Sequence, residues 1–181
     1  MILTTPRLLL RPFEEGDAAD VFAYARDPGV GPAAGWMPHQ SEAESLTVIR
    51  TIYLPQGAFA LTLRDEGRAL GSVGFVGRRH VGPAPNDEIG YALHPAYWGR
   101  GLMAEAVFAV MEYGFTELSL QSIWCVHDEG NERSRRVIKA CGFRRRFSAW
   151  SASPFLGQRR LEHHYALGRE EWVRGRLSGS L

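Results

Sequence analysis

The chain has 181 residues, with 21 Lys plus Arg against 20 Asp plus Glu, a formal net charge of +1, and 45% hydrophobic residues. That balance offers no broad positive field for direct nucleic-acid binding or for an anionic membrane, and the length suits one domain with a full core. Two cysteines, Cys125 and Cys141, supply neither a disulfide framework nor a metal-ligand spacing, so no metal is expected and a reducing, cytoplasmic setting is.

The opening MILTTPRLLLRPF has no long apolar core or small-residue cleavage site, and no uncharged apolar run in the chain reaches about 18 residues, so no membrane partner is expected. Thr5 to Phe13 alternates as a strand. Asp17 to Arg26 reads as a helix with Ala18, Val21, Phe22 and Ala25 on one stripe. The Gly/Pro-rich DPGVGPAAGWMPHQ is loop, and Ser41 with Glu44 forms a capping box for a helix through roughly Ile52. Ala58 to Arg64 and Ala69 to Arg78 are expected strands that turn at Asp65-Glu66-Gly67. After the turn-rich Gly82 to Asn86 comes a strand from Glu88, in which Ile89, Tyr91 and Leu93 share one face and Glu88, Gly90 and Ala92 the other. His94-Pro95 stops it. A helix over Leu102 to Leu118, a strand over Ser122 to Val126 and a helix over Asn131 to Ala140 follow, the last stopped by Gly142. Strands at Phe147 to Ser151 and Arg160 to Leu167, turning at Leu156-Gly157, and a short helix over Glu170 to Arg176 complete the order; Ser178 to Leu181 is expected to fray. No repeat or linker interrupts this order, so residues 1–181 are expected to form a single domain.

The informative stretch is Trp98-Gly99-Arg100-Gly101, which feeds a strand into the Leu102 helix. First-turn amides have no intrahelical partner and sit at the positive end of the helix dipole. Two glycines let such a loop close around an anion, and Arg100 adds charge beside it. The reading is a diphosphate seat formed by Trp98, Gly99, Arg100, Gly101, Leu102, Met103 and Ala104. A P-loop is excluded because no lysine follows the glycines. A dinucleotide fingerprint is excluded because the third glycine is missing and the motif lies mid-chain.

The arrangement resembles the GNAT superfamily of acyl-CoA-dependent N-acetyltransferases, whose loop reads [QR]-x-x-G-x-[GA]. Trp98 and Met103 depart from its first and last positions, and a residue as large as Met103 is expected to tilt or weaken the seat. The flanking IGYxLxPxYWGxG and the opening TPRLLLRP look like the branch containing ribosomal-protein N-terminal alanine acetyltransferases. A second motif, N-x-x-S followed by Gly-Phe, is matched by Asn131, Ser134 and Gly142-Phe143. By itself Asn131 could simply be a helix N-cap, contributing about 1 kcal/mol. Together the motifs extend the resemblance over roughly residues 5 to 172. It implies an α+β fold of three layers: a mixed, mostly antiparallel central sheet of about seven strands, flanked by helices, with its central strand pair splayed.

The resemblance also implies acetyl-CoA as co-substrate, an amine acceptor (a protein N-terminus or a small molecule) and transfer in a ternary complex; it allows a homodimer. Asn131 is expected to meet the pantetheine arm and Ser134 to lie near the thioester sulfur. Tyr91 and Leu93 are expected to line the cofactor, with the Leu93 N–H as oxyanion donor, or to pack the core. Many members carry a tyrosine acid four residues before Gly-Phe; here that position is Ile138, so Ser134 is the expected proton donor. Glu88 is the candidate base, the alternative being an ion pair with an arginine at the sheet surface.

Trp36 and His39, in the loop between the first two helices, are expected to line the acceptor site, the alternative being that they pack the loop down. His163 and His164 occupy adjacent strand positions and face opposite ways, so they cannot form a metal pair. Three readings stay open: N-terminal acetylation, small-amine acetylation, and CoA sensing without turnover.

Overall fold

Pro6 splits the stretch that alternates like a single strand. The computed structural model, which describes residues 1–152 and 157–178, has a hairpin of β1 (Leu3–Thr4) and β2 (Leu8–Pro12) where one strand over Thr5 to Phe13 is expected. The Thr5 N–H donates to Leu8 O at 3.0 Å and the Leu8 N–H donates to Thr5 Oγ1 at 2.9 Å, closing the turn around a proline that has no N–H for a ladder. This extra strand makes the sheet eight-stranded instead of about seven.

The other strands are β3 (Phe59–Leu63), β4 (Gly71–Phe75), β5 (Asn86–Leu93), β6 (Ser122–Asp128), β7 (Arg144–Ala152) and β8 (Arg159–Gly168). The spatial order is β1-β2-β3-β4-β5-β6-β8-β7, and every pairing is antiparallel except β5 with β6. β7 begins three residues before the expected Phe147 and passes a bulge between Arg145 and Phe147. Of the expected Leu156-Gly157 turn, Leu156 lies outside the described residues, as do positions 179–181 of the expected frayed end.

Helices α1 (Ala18–Ala25) and α2 (Glu42–Val48) cover one face of the sheet, their core joining Val21, Tyr24, Ala25 and Ile49 to Ala58, Ala60 and Ala92. Ser41 caps α2 as expected, its Oγ accepting from Glu44 N at 3.2 Å. The reciprocal bond goes elsewhere, from Gln40 N to Glu44 Oε2 at 2.6 Å. The helical path runs past Ile52, through a wider π turn at Ile49–Tyr53 into α3 (Leu54–Gln56).

The opposite face carries α4 (Leu102–Thr116), α5 (Glu132–Ala140) and α6 (Arg169–Leu177). In α4, Leu102, Met103, Ala106, Val107, Val110, Met111, Gly114 and Phe115 are buried, adjacent pairs recurring at helical spacing. Each large side chain there contributes about 1.5–3 kcal/mol by leaving water, which clamps α4 along the sheet.

The feature that positions the site is the β5–β6 pair. Its parallel pairing covers only Asn86↔Ser122, Asp87↔Ile123 and Glu88↔Trp124. β5 then runs on through Leu93 in register with β4, from Phe75↔Ile89 to Gly71↔Leu93, while β6 stays with β8. The strands part after Glu88. This is the expected splayed pair.

Candidate active site

Bonds from Val76 N to Glu88 O (2.9 Å) and from His94 N to Leu70 O (2.8 Å) fix which edge of β5 faces β4. By the alternation of an antiparallel ladder, the main-chain groups of Tyr91 and Leu93 turn the other way, toward the opening that β6 has left. Leu93 O is taken by the Trp98 indole N–H at 2.8 Å. A cleft of about 900 Å³ occupies this opening, at the upper end of the roughly 300–1,000 Å³ usual for ligand sites. It is lined by Glu88, Tyr91, Leu93, Trp98, Gly99 and Gly101 of the central segment, Leu102, Met103 and Ala104 of α4, Asn131 and Ser134 of α5, and Trp36 and His39 of the α1–α2 loop.

At one end, Gly99 and Gly101 hold φ of 75° and 74°, and Gly101 is the N-cap of α4. A Cβ on either would meet nothing closer than 3.5 Å, so glycine is needed here for its left-handed backbone and not for space. The first intrahelical bond is Glu105 N to Gly101 O, which leaves the Leu102, Met103 and Ala104 amides without a helical acceptor. Arg100, exposed and outside the cleft lining, stacks its guanidinium 5.0 Å over the Tyr97 ring. Met103 is 5% exposed and packed in the core, which takes up the bulk that the sequence sets against a phosphate.

The loop is braced from behind by the N-terminal hairpin. Arg7 Nη1 donates to Arg100 O at 2.8 Å, while Arg7 Nε, Arg7 N and Thr5 Oγ1 donate to the Glu105 carboxylate at 2.6, 2.9 and 2.6 Å. Burial pushes that carboxyl up, but these hydrogen bonds outweigh it and hold Glu105 below its usual value. Sequence reading missed this brace because its partners lie about a hundred positions apart.

Across the opening, Asn131 caps α5 by accepting Ser134 N at 3.1 Å, and its Nδ2 donates to Ala33 O at 3.1 Å. Ser134 Oγ lies 2.7 Å from the Tyr91 phenol oxygen. Burial holds the Tyr91 phenol well above its usual value, so it stays protonated through neutral pH. Ile138 is fully buried in the core. Arg133 packs its guanidinium 3.9 Å over the Trp98 ring and donates to Gly29 O at 3.3 Å, tying the α1–α2 loop to α5.

Glu88 sits on the other sheet face, 9% exposed. Its Oε2 lies 2.7 Å from His80 Nε2 and 3.6 Å from Arg78 Nη1, so the arginine foreseen as a partner is present but more distant than an imidazole nobody would choose from the sequence. His39 is buried, with Nδ1 2.8 Å from Ser45 Oγ; burial pushes its imidazole down, so it is neutral at pH 7. Trp36 tilts against it at 5.1 Å. His163 and His164 do face opposite ways: His163 meets Ser148 and Glu129, His164 meets Glu162 and the Phe147 ring. No metal-ligating group of three or more side chains occurs among the described residues, and no helix among them is long and apolar enough to cross a membrane.

Comparison with known proteins agrees with this geometry. The family profile "Acetyltransferase (GNAT) domain" matches residues 7–144. The uncharacterized N-acetyltransferase YnaD of Bacillus subtilis is 32% identical over 172 residues, 95% of this chain and 99% of that protein. Spermidine N(1)-acetyltransferase of Escherichia coli K12 is 26% identical, covering 74% of this chain and 71% of that one. Among solved structures, a GNAT-family acetyltransferase from Bacillus anthracis superposes with a TM-score of 0.84 at 27% identity, covering 94% of this chain and all of that one. Ribosomal-protein-S5-alanine acetyltransferase from Vibrio fischeri shares the fold, with a TM-score of 0.73 at 20% identity and coverage of 95% and 98%. A domain match across most of its length, a relative aligned from end to end and a sheet parted beside a glycine-led helix make this chain a member of the GNAT acetyltransferase family, an N-acetyltransferase.

Proposed function

We propose that the protein transfers an acetyl group from acetyl-CoA to a primary amine within a ternary complex, and that the amine is the α-amino group of a protein N-terminus. The observation that carries the reading is the opening after Glu88, which runs from unpartnered helix amides at one end to a carboxylate on the opposite sheet face. The residues fit the co-substrate: left-handed glycines and first-turn amides suit paired phosphates, and the unpaired edge of β5 suits an amide-bearing arm.

When bound, acetyl-CoA supplies the activated acetyl thioester. The Leu102, Met103 and Ala104 amides hold the phosphates, and Asn131 and the β5 edge orient the arm. The Leu93 N–H supplies a preorganised donor for developing negative charge. Glu88 accepts a proton from the amine, and Ser134 Oγ, backed by Tyr91 Oη, holds the proton for the departing sulfur. Trp36 and His39 form one wall of the acceptor site.

At pH 7.4 an α-amine near pKa 8 costs less than about 1 kcal/mol to deprotonate, against about 4 kcal/mol for a lysine amine. A site with one carboxylate base is therefore matched to N-termini. The second reading, a small polyamine, draws on the relative that acetylates spermidine. Free-thiol release from acetyl-CoA, assayed with alanine-starting peptides and with small amines, separates the two. Peptide turnover supports the first reading and small-amine turnover alone the second; CoA binding with no turnover on any amine would overturn both.

A further inference from the structure

The connection between β4 and β5, whose first residues are expected to continue the strand to Arg78, buries an imidazole. The His80 side chain is 6% exposed. Its ring stacks on Trp124 at 4.5 Å with an interplanar angle of 9°, and His164 meets it edge-on at 5.8 Å. The backbone is pinned as well: Asn86 Oδ1 accepts from His80 N at 2.8 Å and Asn86 Nδ2 donates to His80 O at 3.1 Å. Ring and main chain are thus both fixed. The payoff of that rigidity is a single contact, His80 Nε2 to Glu88 Oε2 at 2.7 Å. Arg78 approaches the same oxygen at 3.6 Å, and among the described residues no hydrogen bond or ion pair involves Oε1 of this cleft-lining carboxylate.

We propose that His80 is the positioning residue of the acceptor-side carboxylate: its Nε2–H donates to Glu88 Oε2 and fixes the carboxylate so that Oε1 meets the arriving amine. This rests on the reading of Glu88 as the base. A glutamate has three rotatable side-chain bonds, and a proton acceptor works only if held within hydrogen-bond reach of its target. A charge-assisted bond from a stacked, doubly anchored ring supplies that hold. Trp124 has a place in the same account, as the platform that sets the plane of the imidazole.

The test has two arms. Long-range 1H–15N NMR of the unliganded protein is expected to find the His80 proton on Nε2 and to see its resonance move in Glu88→Gln; a proton on Nδ1 alone overturns the proposal. In the kinetic arm the acceptor probes are an alanine-starting peptide and spermidine. His80→Phe keeps a ring on Trp124 but removes the donor, and is expected to lower kcat on the order of 10-fold with an unchanged KM for acetyl-CoA. His80→Gln, whose amide nitrogen can replace Nε2, is expected to recover most of that loss. In a Glu88→Gln background, His80→Phe is expected to add nothing. A His80→Phe protein with wild-type kcat, or a His80→Gln protein no better than His80→Phe, sinks the role of His80. An unaltered rate in Glu88→Gln sinks instead the base reading beneath it. If neither probe amine is turned over, the NMR arm decides.

Discussion

The phenol oxygen of Tyr91 and the hydroxyl of Ser134 stand 2.7 Å apart where the sheet has opened between β5 and β6. Neither motif-level reading of these residues implies the pairing, since one lies on a strand and the other on a helix 43 positions away. In the proposed reaction it joins two proton carriers where the leaving sulfur would need one. Tyr91→Phe and Ser134→Ala are each expected to lower kcat on the order of 10-fold. The double variant is expected to lose less than the product of the two, because contacting residues are not additive. Burial raises the Tyr91 phenol well above 10, so its neutral form persists, and no loss of rate from its ionisation is expected below pH ~10. An alkaline limb in the pH–rate profile below that point, absent from Tyr91→Phe, would contradict this.

Gly101 holds φ of 74° at the N-cap of α4. Gly101→Glu places a side chain in left-handed backbone, at about 1–2 kcal/mol of strain, and sets a negative charge against the expected phosphates. Acetyl-CoA binding measured by calorimetry is expected to vanish. Retained wild-type affinity would refute the phosphate seat.

Glu105 links the N-terminal hairpin to the start of α4. Burial alone would raise its carboxyl, yet bonds from Thr5 and Arg7 bring the net shift below the usual value. A carboxyl depressed by folding stabilises above its unfolded pKa of about 4.3, and that stability is lost as pH falls through the folded value. Glu105→Gln is therefore expected to cost about 1–2 kcal/mol at pH 7, with the gap to wild type closing in acid. Urea denaturation at neutral and acid pH measures it; a gap that does not change with pH would remove the ionised carboxylate from the account.

Cys125 and Cys141 are both fully buried. Burial pushes the Cys141 thiol up to about 12 and raises Cys125 further. Thiolate is the reactive form, so a thiol reagent is expected to modify neither residue in the native protein and both after unfolding. Labelling of native protein followed by mass spectrometry checks this, and rapid modification of either would show that the core opens.

Glu88→Gln is expected to cut turnover by at least ~10-fold while leaving acetyl-CoA affinity as it was. Its carboxylate lies on the face of β5 opposite Tyr91, so its removal leaves the face proposed to meet the cofactor untouched. Parallel calorimetry and thiol-release assays read the two quantities apart. A rate and pH profile equal to wild type would make Glu88 purely structural.

What the chain's order of residues determined by itself is local. The alternation in Glu88–Leu93, the stop at His94-Pro95, the glycines ahead of a long apolar-striped helix and the Asn131 cap are short-range patterns, and each element appears where its pattern lies. Ser41 likewise capped its helix, whereas the reciprocal half of its box went to Gln40, a difference of one residue that propensity cannot resolve. The tertiary structure alone decided which of these pieces meet. His80 reaches Glu88 from the β4–β5 connection, Arg7 reaches Glu105 and Arg100 from the N-terminal hairpin over 90 positions away in sequence, and Tyr91 finds Ser134 because β5 stays with β4 while β6 stays with β8. The physical reason is that hydrogen bonds of about 3 Å depend on the placement of whole strands and helices, which is set by burial of their apolar faces. Sequence periodicity records which face is buried, but not which distant side chain that burial brings alongside.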